Sequence, residues 1–565
     1  MAKVISIGNQ SFESIREKDN FYIDKTNFIR EWWDNDDTVT LITRPRRFGK
    51  TLNMSMLECF FSNKYKDRGD LFEGLEIWND EKYRKLQGTY PVIFLSFAEI
   101  KQNNYNDAVE KIKRIICEVC QQFDFLKNWD GLTEIEKKNI SNISYNMSDV
   151  MAQDLIKNMS NYLSRYYGKK VIILLDEYDT PMQEAYVNGY WEELVAFTRS
   201  LFNSTFKTNP YLERAIMTGI TRVSKESIFS DLNNLKVITV TSDEYSKCFG
   251  FTEDEVFAAL DEQGLSSEKE KVKLWYDGFT FGDEKDVYNP WSIINFLDEK
   301  KYKTYWADSS SNGLVNELIR TGSAEIKKTM ETLIAGGTVE KNIDEQIVFE
   351  QLKTNKDAVW SLLLASGYLR VETFRTEGRL NKKIYSLKLT NYEVEQMFGT
   401  MIERWFGGAD VPYNEFISAM ISGDLESMNE YMNRVTRGVI SYFDTGKTPS
   451  DEEPERFYHG LVLGLMVDQV DNYILNSNRE SGYGRYDIML EPIDKTNEKY
   501  PGIVIEFKVI NPRKENTLEE TVASALEQIE EKNYDAELIK RGVKEENIHH
   551  YGFAFKGKEV LIDGR

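Results

Sequence analysis

Cysteine is scarce in this chain, with four residues among 565, and they are scattered. Such spacing excludes a disulfide framework of the kind that holds small secreted domains together. Cys117 and Cys120 form a Cys-x-x-Cys pair, but they lie in an apolar helical run with no second pair or histidine nearby. We therefore expect both thiols to pack in a core, and zinc binding is the minor alternative.

The sequence also lacks an apolar run long enough to cross a bilayer, which takes about 20 residues. Its first residues, Met1-Ala-Lys-Val-Ile-Ser, do not have the layout of a signal peptide. We therefore expect a cytoplasmic protein with no membrane partner. Internal repeats and low-complexity tracts are absent as well, and 565 residues are too many for one hydrophobic core, so we expect several domains.

Positive charge is in deficit, because the chain has 71 Lys and Arg residues and 93 Asp and Glu residues, which gives a net charge of −22. Residues 441–565 carry 16 basic and 25 acidic side chains, a net charge of −9. Proteins that bind duplex DNA non-specifically usually show a basic face. Tight unassisted binding to a duplex is therefore not expected. A bound metal ion would offset part of the repulsion, and a second copy in a homo-oligomer is a further way to complete a groove.

A charged pattern interrupts an apolar stretch near the C-terminus. Asp487 is followed by the strand-like run Gly502-Ile-Val-Ile-Glu-Phe-Lys-Val509, which makes the pattern Asp-x(n)-Glu-x-Lys. Glu506 and Lys508 project to one face of a strand, and a paired strand can bring Asp487 beside them. Such groups can hold a hard divalent cation and orient water for attack on a phosphodiester. The alternative is an exposed cross-strand ion pair, but the neighbouring residues are apolar, where charges are rarely buried without a partner or a metal.

The segments around this pattern predict the order helix, strands, helix, strand. Glu455–Leu475 has helical spacing, Thr517 can cap a second helix, and Tyr551–Phe555 has the composition of a closing strand. The arrangement resembles the PD-(D/E)xK nuclease superfamily, which implies an αβββαβ domain. We expect Asp487 and Glu506 to hold Mg²⁺ or Mn²⁺, with a further ligand in the Phe507 carbonyl, and Lys508 to position or activate the water.

Further residues resemble those of RecB-type nucleases. Gln528 followed by Tyr534 is similar to their glutamine–tyrosine signature, at a longer spacing, and we count Gln528 among the catalytic candidates. His459 stands where those nucleases carry a metal-binding histidine, although a lone helical histidine is also a common packing residue. Glu455 and Glu480 are additional candidates for a second metal or for ordering water.

The N-terminal half carries an independent signal. Thr38-Val-Thr-Leu-Ile-Thr43 predicts a buried strand that runs into Arg44-Pro-Arg-Arg-Phe-Gly-Lys-Thr51 and then a helix. Strand, loop, Gly-Lys-Thr and helix form the P-loop layout, in which Lys50 reaches the β- and γ-phosphates and Thr51 ligates Mg²⁺. Arg44 occupies the position of the usual first glycine, which we expect to slow hydrolysis more than to prevent binding. The predicted nucleotide-binding residues here are Arg44, Arg46, Arg47, Phe48, Gly49, Lys50 and Thr51.

A second apolar run, Lys170-Val-Ile-Ile-Leu-Leu-Asp-Glu177, has the pattern of a Walker B strand. Asp176 would hold Mg²⁺ through water and Glu177 would activate the attacking water. A core strand that meets a loop has the same pattern, but its place downstream of Gly-Lys-Thr favours ATP or GTP binding. A third strand, Ala215–Gly219, is followed by Arg222 and Lys225, each of which is either a reader of the γ-phosphate or a surface charge.

Several motifs in matching order make the resemblance wider. They are Ile7-Gly8, Phe12-Glu-Ser-Ile-Arg16, Phe21-Tyr-Ile-Asp-Lys-Thr26, the arginine-rich loop, Ile220–Phe229 and Trp275-Tyr-Asp-Gly-Phe279. These look like the bacterial AAA-ATPase-like family, while Phe457–Gly460 and Ser477–Asp487 look like the PD-(D/E)xK domain that accompanies it. The resemblance implies an ATPase fused to a nuclease-fold domain, with the arginine-rich loop as a family trait. It does not imply a known substrate.

The region between the two sites is predicted to be helical, with one hairpin. Helices begin near Thr252 and Pro290, and the helix Asp357–Gly367 precedes a hairpin whose turn begins at Thr376. This suggests a winged-helix-like module, with a generic α+β spacer as the alternative. The expected domains are 1–240, P-loop; 241–330, helical lid; 331–400, winged-helix-like; 401–450, helical linker; and 451–565, nuclease.

The sequence therefore predicts an α/β multidomain protein with a P-loop NTPase core, a helical and winged-helix-like middle and a PD-(D/E)xK nuclease fold. We expect ATP and Mg²⁺ or Mn²⁺ as cofactors and nucleic acid, in the first place DNA, as substrate. By analogy, a nuclease with a regulatory ATPase suits defence against foreign DNA or the processing of mobile DNA. The alternative is a nucleotide-dependent switch or scaffold whose nuclease fold does not cut.

Overall fold

The protein forms two compact units. Unit 1 comprises residues 1–311 and 340–393, and unit 2 comprises residues 312–339 and 394–565. The computed structural model describes residues 3–221, 228–229, 231–307, 313–320, 324–334, 336–344, 357–378, 382–406, 413–439, 472–477, 480–481, 484–511, 515–556 and 559–565. The five domains expected from the sequence, and the four boundaries between them, stay predictions.

The strands follow one another along the whole chain. They are β1 (Val39–Thr43), β2 (Val92–Ser96), β3 (Val171–Asp176), β4 (Leu212–Gly219), β5 (Leu235–Ile238), β6 (Phe251–Thr252), β7 (Phe279–Phe281), β8 (Glu284–Tyr288), β9 (Val339–Asn342), β10 (Leu369–Glu377), β11 (Lys382–Leu389), β12 (Tyr473–Ser477), β13 (Glu480–Ser481), β14 (Gly484–Arg485), β15 (Ile488–Pro492), β16 (Gly502–Val509), β17 (Ile548–Lys556) and β18 (Glu559–Gly564).

The α-helices are interspersed with these strands. They are α1 (Phe12–Glu17), α2 (Asn27–Asn35), α3 (Lys50–Phe61), α4 (Glu81–Arg84), α5 (Tyr105–Gln121), α6 (Glu134–Ser141), α7 (Asp149–Tyr167), α8 (Thr180–Asn188), α9 (Trp191–Phe202), α10 (Glu253–Glu262), α11 (Lys269–Tyr276), α12 (Pro290–Glu299), α13 (Gly313–Arg320), α14 (Ala324–Ile334), α15 (Ala358–Ala365), α16 (Tyr392–Phe406), α17 (Tyr413–Ser422), α18 (Leu425–Val439), α19 (Leu518–Glu531) and α20 (Ala536–Lys540).

Unit 1 is built around a parallel five-stranded sheet in the order β2-β3-β4-β1-β5. Every residue of β1 and β3 is buried. Parallel strands that are covered on both faces appear in a sequence as continuous apolar runs, which explains why both were predicted. The carboxyl ends of β1, β3 and β4 meet at one edge of the sheet, the edge at which open α/β sheets bind ligands.

The remaining elements of unit 1 confirm several local predictions. Thr252 and Glu255 form a reciprocal capping box at the start of α10, and α12 begins at Pro290. α15 is followed by the antiparallel hairpin β10–β11, with β9 paired to β11. The winged-helix-like interpretation of these last elements stays a prediction.

Unit 2 contains a second five-stranded sheet, in the order β12-β15-β16-β17-β18. Only β16 and β17 run parallel, because the crossover between them contains α19. Alternate residues of β16 face opposite ways: Ile503, Ile505 and Phe507 pack in a core with α17 and α18, whereas Val504 packs in a core with α19. Because their positions alternate with the first set, Glu506 and Lys508 share the α19 face with Val504.

One prediction about unit 2 was wrong in detail, and one strand of that unit was not predicted. The helix predicted as far as Leu475 cannot extend that far, because Tyr473–Ser477 is strand β12, paired antiparallel with β15. The rest of that segment lies outside the described residues. A strand that was not predicted, β18, follows β17 and pairs antiparallel with it. The short apolar run Tyr473-Ile-Leu475 satisfies a strand as well as the end of a helix, and the pairing with β15 decides the outcome.

The cysteines and the helices agree with two further expectations. Cys117 and Cys120 are both buried in α5, among the apolar residues of that helix, so they are packing residues. Within the part of the chain that the structure describes, no helix combines the length and the apolar character that crossing a membrane requires.

Candidate functional site

The phosphate loop joins β1 to α3 and has an unusual backbone. Arg47 and Gly49 adopt left-handed conformations, with φ of 63° and 80°. Gly49 precedes α3, and among the described residues no side chain caps this helix start. A helix N-terminus with available N–H groups is a ready anion site, so the start of α3 fits a phosphate although Arg44 stands in place of the usual first glycine.

Lys50 is bound to its own loop. Its ammonium donates to the carbonyls of Arg44, at 3.0 Å, and Pro45, at 2.8 Å. Burial lowers the pKa of Lys50, while the nearby charges of Glu177 and Asp176 act in the opposite direction. To contact a nucleotide, the ammonium would exchange these carbonyls for phosphate oxygens.

The Arg44 side chain lies in the core of unit 1. Its guanidinium is fully buried and donates to main-chain carbonyls at the end of β1 and after β5, at distances of 2.6–3.4 Å; these belong to Thr43, Thr239, Glu244 and Tyr245. It also lies over the ring of Phe281, 4.5 Å from the centroid. Burial lowers the pKa of Arg44 to about 10. This side chain therefore holds β1 to the segment after β5, and its contact with a nucleotide stays a prediction.

Arg46, a residue of the loop, forms hydrogen bonds with three later segments of unit 1. Its guanidinium donates to Gln183 Oε1 at 3.4 Å. Its carbonyl accepts hydrogen bonds from Asn289 Nδ2, at 3.3 Å, and from the indole N–H of Trp306, at 3.0 Å. The main chain of the loop is thus held by residues at the start of α12 and after its end.

Arg47 and Phe48 use their side chains differently. The Arg47 guanidinium is exposed and stacks 3.8 Å above the ring of Trp291. Phe48 is buried, in edge contact with Phe279 and Phe281. Phe48 therefore anchors the loop through packing, whereas Arg47 stays within reach of solvent and of an incoming anion.

Asp176 at the end of β3 meets the start of α3. Its Oδ2 accepts from the Thr51 hydroxyl at 2.7 Å, and its Oδ1 accepts from the Thr218 hydroxyl on β4. Burial raises the pKa of Asp176. The structure thus brings together both predicted Mg²⁺ ligands, a hydroxyl and a carboxylate, which are hard oxygen donors of the type that Mg²⁺ prefers. Glu177 follows in a left-handed conformation, with φ of 51°.

Asp179 was missed by the sequence analysis. This buried carboxylate accepts through Oδ2 from the N–H of Ile220, at 2.9 Å, and from the N–H and hydroxyl of Thr221, at 2.8 and 3.0 Å. Gly219 allows the approach, because a Cβ there would lie 2.7 Å from Asp179 Oδ1. The signal was the second aspartate in Asp176-Glu-Tyr-Asp179. Arg222 and Lys225, which follow Thr221 along the chain, lie outside the described residues.

The C-terminal acidic pattern is gathered where β15 begins. Asp487 immediately precedes β15, and its Oδ2 accepts the N–H of Phe507 at 2.9 Å. The N–H and C=O of one strand residue point to the same side, so the Phe507 carbonyl also faces Asp487. Glu506 is only 5% exposed, and Lys508 is half-buried on the same face of β16.

Helix α19 supplies the partners of these charged groups. Gln528 Nε2 donates to Glu506 Oε1 and, at 3.2 Å, to the hydroxyl of Tyr534. Lys508 Nζ donates to Ser524 Oγ at 2.9 Å. Ser524 was not predicted; its signal is the four-residue spacing to Gln528, which puts both on one helix face.

The charges of both acids act on the pKa of Tyr534. Burial raises its pKa, the Gln528 hydrogen bond lowers it, and the negative charges of Glu506 and Asp487 raise it further. Both carboxylates therefore act on a single phenol. Two carboxylates and a main-chain carbonyl form a donor set of hard oxygens, which fits Mg²⁺ or Mn²⁺.

Of three further candidates for this site, two lie outside the described residues and one lies in a short strand. His459 and Glu455 lie in 440–471, outside the described residues. Glu480 lies in the short strand β13, where its main chain pairs with that of Arg485 in β14.

A separate acidic cluster occurs in unit 1. Carboxylate oxygens of Glu253, Asp277 and Asp286 lie within 4.8 Å of one another. Lys273 Nζ pairs with Glu253 and lies 4.0 and 3.8 Å from the other two. Burial, followed by a hydrogen bond to Asp286, raises the pKa of Asp277 to about 7. With an ammonium already among the carboxylates, the cluster is a structural ion-pair network.

Comparison with known proteins gives one match in each half of the chain. Residues 6–229 match the model of the predicted AAA-ATPase family, and residues 453–564 match that of the PD-(D/E)XK nuclease superfamily. An uncharacterized protein in the vnfD 5' region of Azotobacter chroococcum mcd 1 is 25% identical over 396 residues, which cover 70% of this chain and 68% of that protein. The chain therefore joins an AAA-ATPase-like region to a C-terminal domain of the PD-(D/E)XK nuclease superfamily.

Proposed function

We propose that the protein is an ATP-binding ATPase whose nucleotide state controls a Mg²⁺- or Mn²⁺-dependent nuclease. The single observation that carries the nuclease half is the arrangement of Asp487, Glu506 and Lys508 together where β15 begins and β16 ends. The acidic composition disfavours a protein that simply coats nucleic acid, and a metal site offers a specific way to hold the phosphodiester.

Each residue of this site has a distinct role in the proposal. Asp487 and Glu506 hold the metal together with the Phe507 carbonyl, and Gln528 fixes the orientation of the Glu506 carboxylate. The metal, when bound, polarises the phosphate and makes a water more acidic. Lys508 places a positive charge where the attacking water and the developing negative charge meet.

The ATPase half rests on the phosphate loop. Lys50 and the start of α3 would bind the phosphates, and Thr51 with Asp176 would hold Mg²⁺. Glu177 is the proposed base, because it directly follows Asp176 and its left-handed backbone turns the chain away from β3. Arg44 is not among the proposed phosphate ligands, since its guanidinium is buried and donates to main-chain carbonyls.

A chain of contacts within unit 1 supports control by nucleotide. The Arg46 carbonyl binds the Trp306 indole, and the Trp306 main-chain N–H donates to Glu393 Oε1 at 2.5 Å. The buried Glu393 also accepts from the Ser292 hydroxyl at 2.8 Å. Glu393 is the last residue of unit 1 before the chain enters unit 2. Movement of the phosphate loop would therefore be transmitted to the start of α16. Control of the nuclease by nucleotide also requires that ATP bind the active and the inactive arrangement of the protein with different affinity.

One set of cleavage assays tests both halves. The full chain is incubated with linear, circular and single-stranded DNA and with RNA, in Mn²⁺, with and without ATP. We expect cleavage by the parent, none by Lys508→Ala, and a rate that responds to ATP in the parent but not in Lys50→Ala. Absence of cleavage on every substrate would favour the alternative function, a nucleotide-dependent switch or scaffold whose nuclease fold does not cut. Equal rates with and without ATP would show that the two units work independently.

A further inference from the structure

Ser524 and Gln528 lie one turn apart on α19, and each binds one charged residue of β16. Gln528 binds Glu506, and Ser524 binds Lys508. All four side chains are at the α19 face of the sheet, and Ser524, Gln528 and Lys508 are half-buried, so part of each of these three side chains is in contact with solvent.

The pairing follows from matched spacings. Residues four apart on a helix are separated by about 6 Å along its axis, and residues two apart on a strand by about 6.7 Å. A helix that runs antiparallel to a strand can therefore place two side chains opposite two alternate strand residues. In this order Ser524 meets Lys508 and Gln528 meets Glu506.

Packing holds the helix close enough for these bonds. α19 buries apolar residues on the sheet, among them Val522, Ala525, Leu526 and Ile529. Gly552 of β17 permits this approach, because a Cβ there would lie 2.9 Å from the Val522 carbonyl oxygen. The register of α19 against β16 is therefore set by the packing of these apolar residues, and this register keeps Ser524 opposite Lys508.

We propose that Ser524 is a positioning residue for Lys508; this inference rests on the proposed nuclease function. Its hydroxyl accepts one N–H of the ammonium and leaves the other N–H groups for water or phosphate. Lysine has a long stem with many rotamers, so an acceptor at its tip restricts where the charge can lie. Ser524 itself contacts no reacting atom, and it acts through Lys508.

The test compares Ser524→Ala and Ser524→Thr with the parent, and Ser427→Ala serves as the matched control. The Ser427 hydroxyl donates to Asp424 at 2.7 Å in the same unit but takes no part in the site. We expect Ser524→Ala to lower kcat for Mn²⁺-dependent cleavage about tenfold, the effect of one hydrogen bond to a charged group. KM and Mn²⁺ affinity should not change, and Ser524→Thr should restore most of the rate.

A second readout needs neither metal nor activity. The metal-free proteins are treated briefly with a small acylating reagent at one fixed pH, and the modified fraction of Lys508 is measured by mass spectrometry. We expect more modification of Lys508 in Ser524→Ala than in the parent and in Ser427→Ala. If the parent cleaves no nucleic acid, the proposed function fails, while the modification of Lys508 still decides whether Ser524 holds it.

Two results would overturn the inference. One is an unchanged kcat together with unchanged Lys508 modification in Ser524→Ala. The other is an equal loss of kcat in Ser524→Ala and Ser427→Ala, because a general effect on unit 2 would then explain it.

Discussion

The two candidate sites hold their charged groups in different ways. In unit 1 the Lys50 ammonium is bound to carbonyls of its own loop, and the Thr51 hydroxyl is bound to Asp176. In unit 2 Glu506 and Lys508 are each held by a residue of one helix. The first site must exchange internal hydrogen bonds for ligand, whereas the second already has its orienting contacts. This contrast suits a nucleotide site that switches and a catalytic site that is pre-organised.

Arg44 and Glu506 give a second contrast, because both are buried charges in apolar strands or at their ends. Arg44 donates to carbonyls on several segments and contributes to the core, while Glu506 lies beside Asp487 at the edge of a site. A charged residue in an apolar run therefore indicates only that the folded protein supplies a partner for the charge. Whether the charged residue has a structural or a chemical role depends on that partner, which is either the main chain or another group of the same site.

The largest effect is expected from breaking the structural role of Arg44. Arg44→Met should lower the free energy of unfolding by about 3 kcal/mol or more, because several buried carbonyls lose their donor. Arg46→Ala, at a half-buried position of the same loop, should change it by less than about 1 kcal/mol. Urea unfolding of both variants measures this difference. Equal stability of the two would return the Arg44 guanidinium to the nucleotide site.

The second largest effect is expected on the affinity for nucleotide. Lys50→Ala should weaken ATP binding about tenfold to a hundredfold, because it removes a charged donor to the phosphates. Glu177→Gln should keep the affinity and slow hydrolysis, since it removes only the proposed base. Calorimetry and phosphate release measure the two effects. The phosphate-loop assignment is wrong if Lys50→Ala binds ATP as tightly as the parent.

The metal site of unit 2 should lose about tenfold or more in Mn²⁺ affinity in Asp487→Asn, which removes one charged ligand. Asp494→Asn is the matched control, because Asp494 is an exposed carboxylate in the loop after β15. Calorimetry with the nucleotide-free protein measures both variants. Equal affinity in the parent and Asp487→Asn would exclude the cluster as a metal site.

The smallest effect concerns the link between the two sites. Trp306→Phe keeps an aromatic ring but removes the N–H that binds the Arg46 carbonyl. We expect ATP affinity to remain near that of the parent and the response of cleavage to ATP to fall a few-fold, about 1 kcal/mol of coupling. Cleavage rates with and without ATP measure this. A full response in Trp306→Phe would exclude the contact with Arg46 as a route of control.

Many elements of the fold and many residues of both candidate sites can be predicted, because local sequence patterns indicate them. Apolar runs predict β1, β3 and β16, and the residues that follow or interrupt them predict Lys50, Thr51, Asp176, Glu506 and Lys508. The capping box at Thr252 and the helix start at Pro290 are likewise local, since each depends on residues within one turn.

Contacts between distant segments were decided only by the tertiary structure. The direction of the Arg44 guanidinium depends on carbonyls near residue 240, and the role of Ser524 depends on the register of α19 against β16. Asp179 acquires its partners from the end of β4, and Tyr473–Ser477 becomes a strand because β15 lies beside it. The sequence by itself determined which chemical groups are present and which elements carry them. Packing decided which groups meet, because that depends on elements that are far apart in the chain and adjacent only in the folded protein.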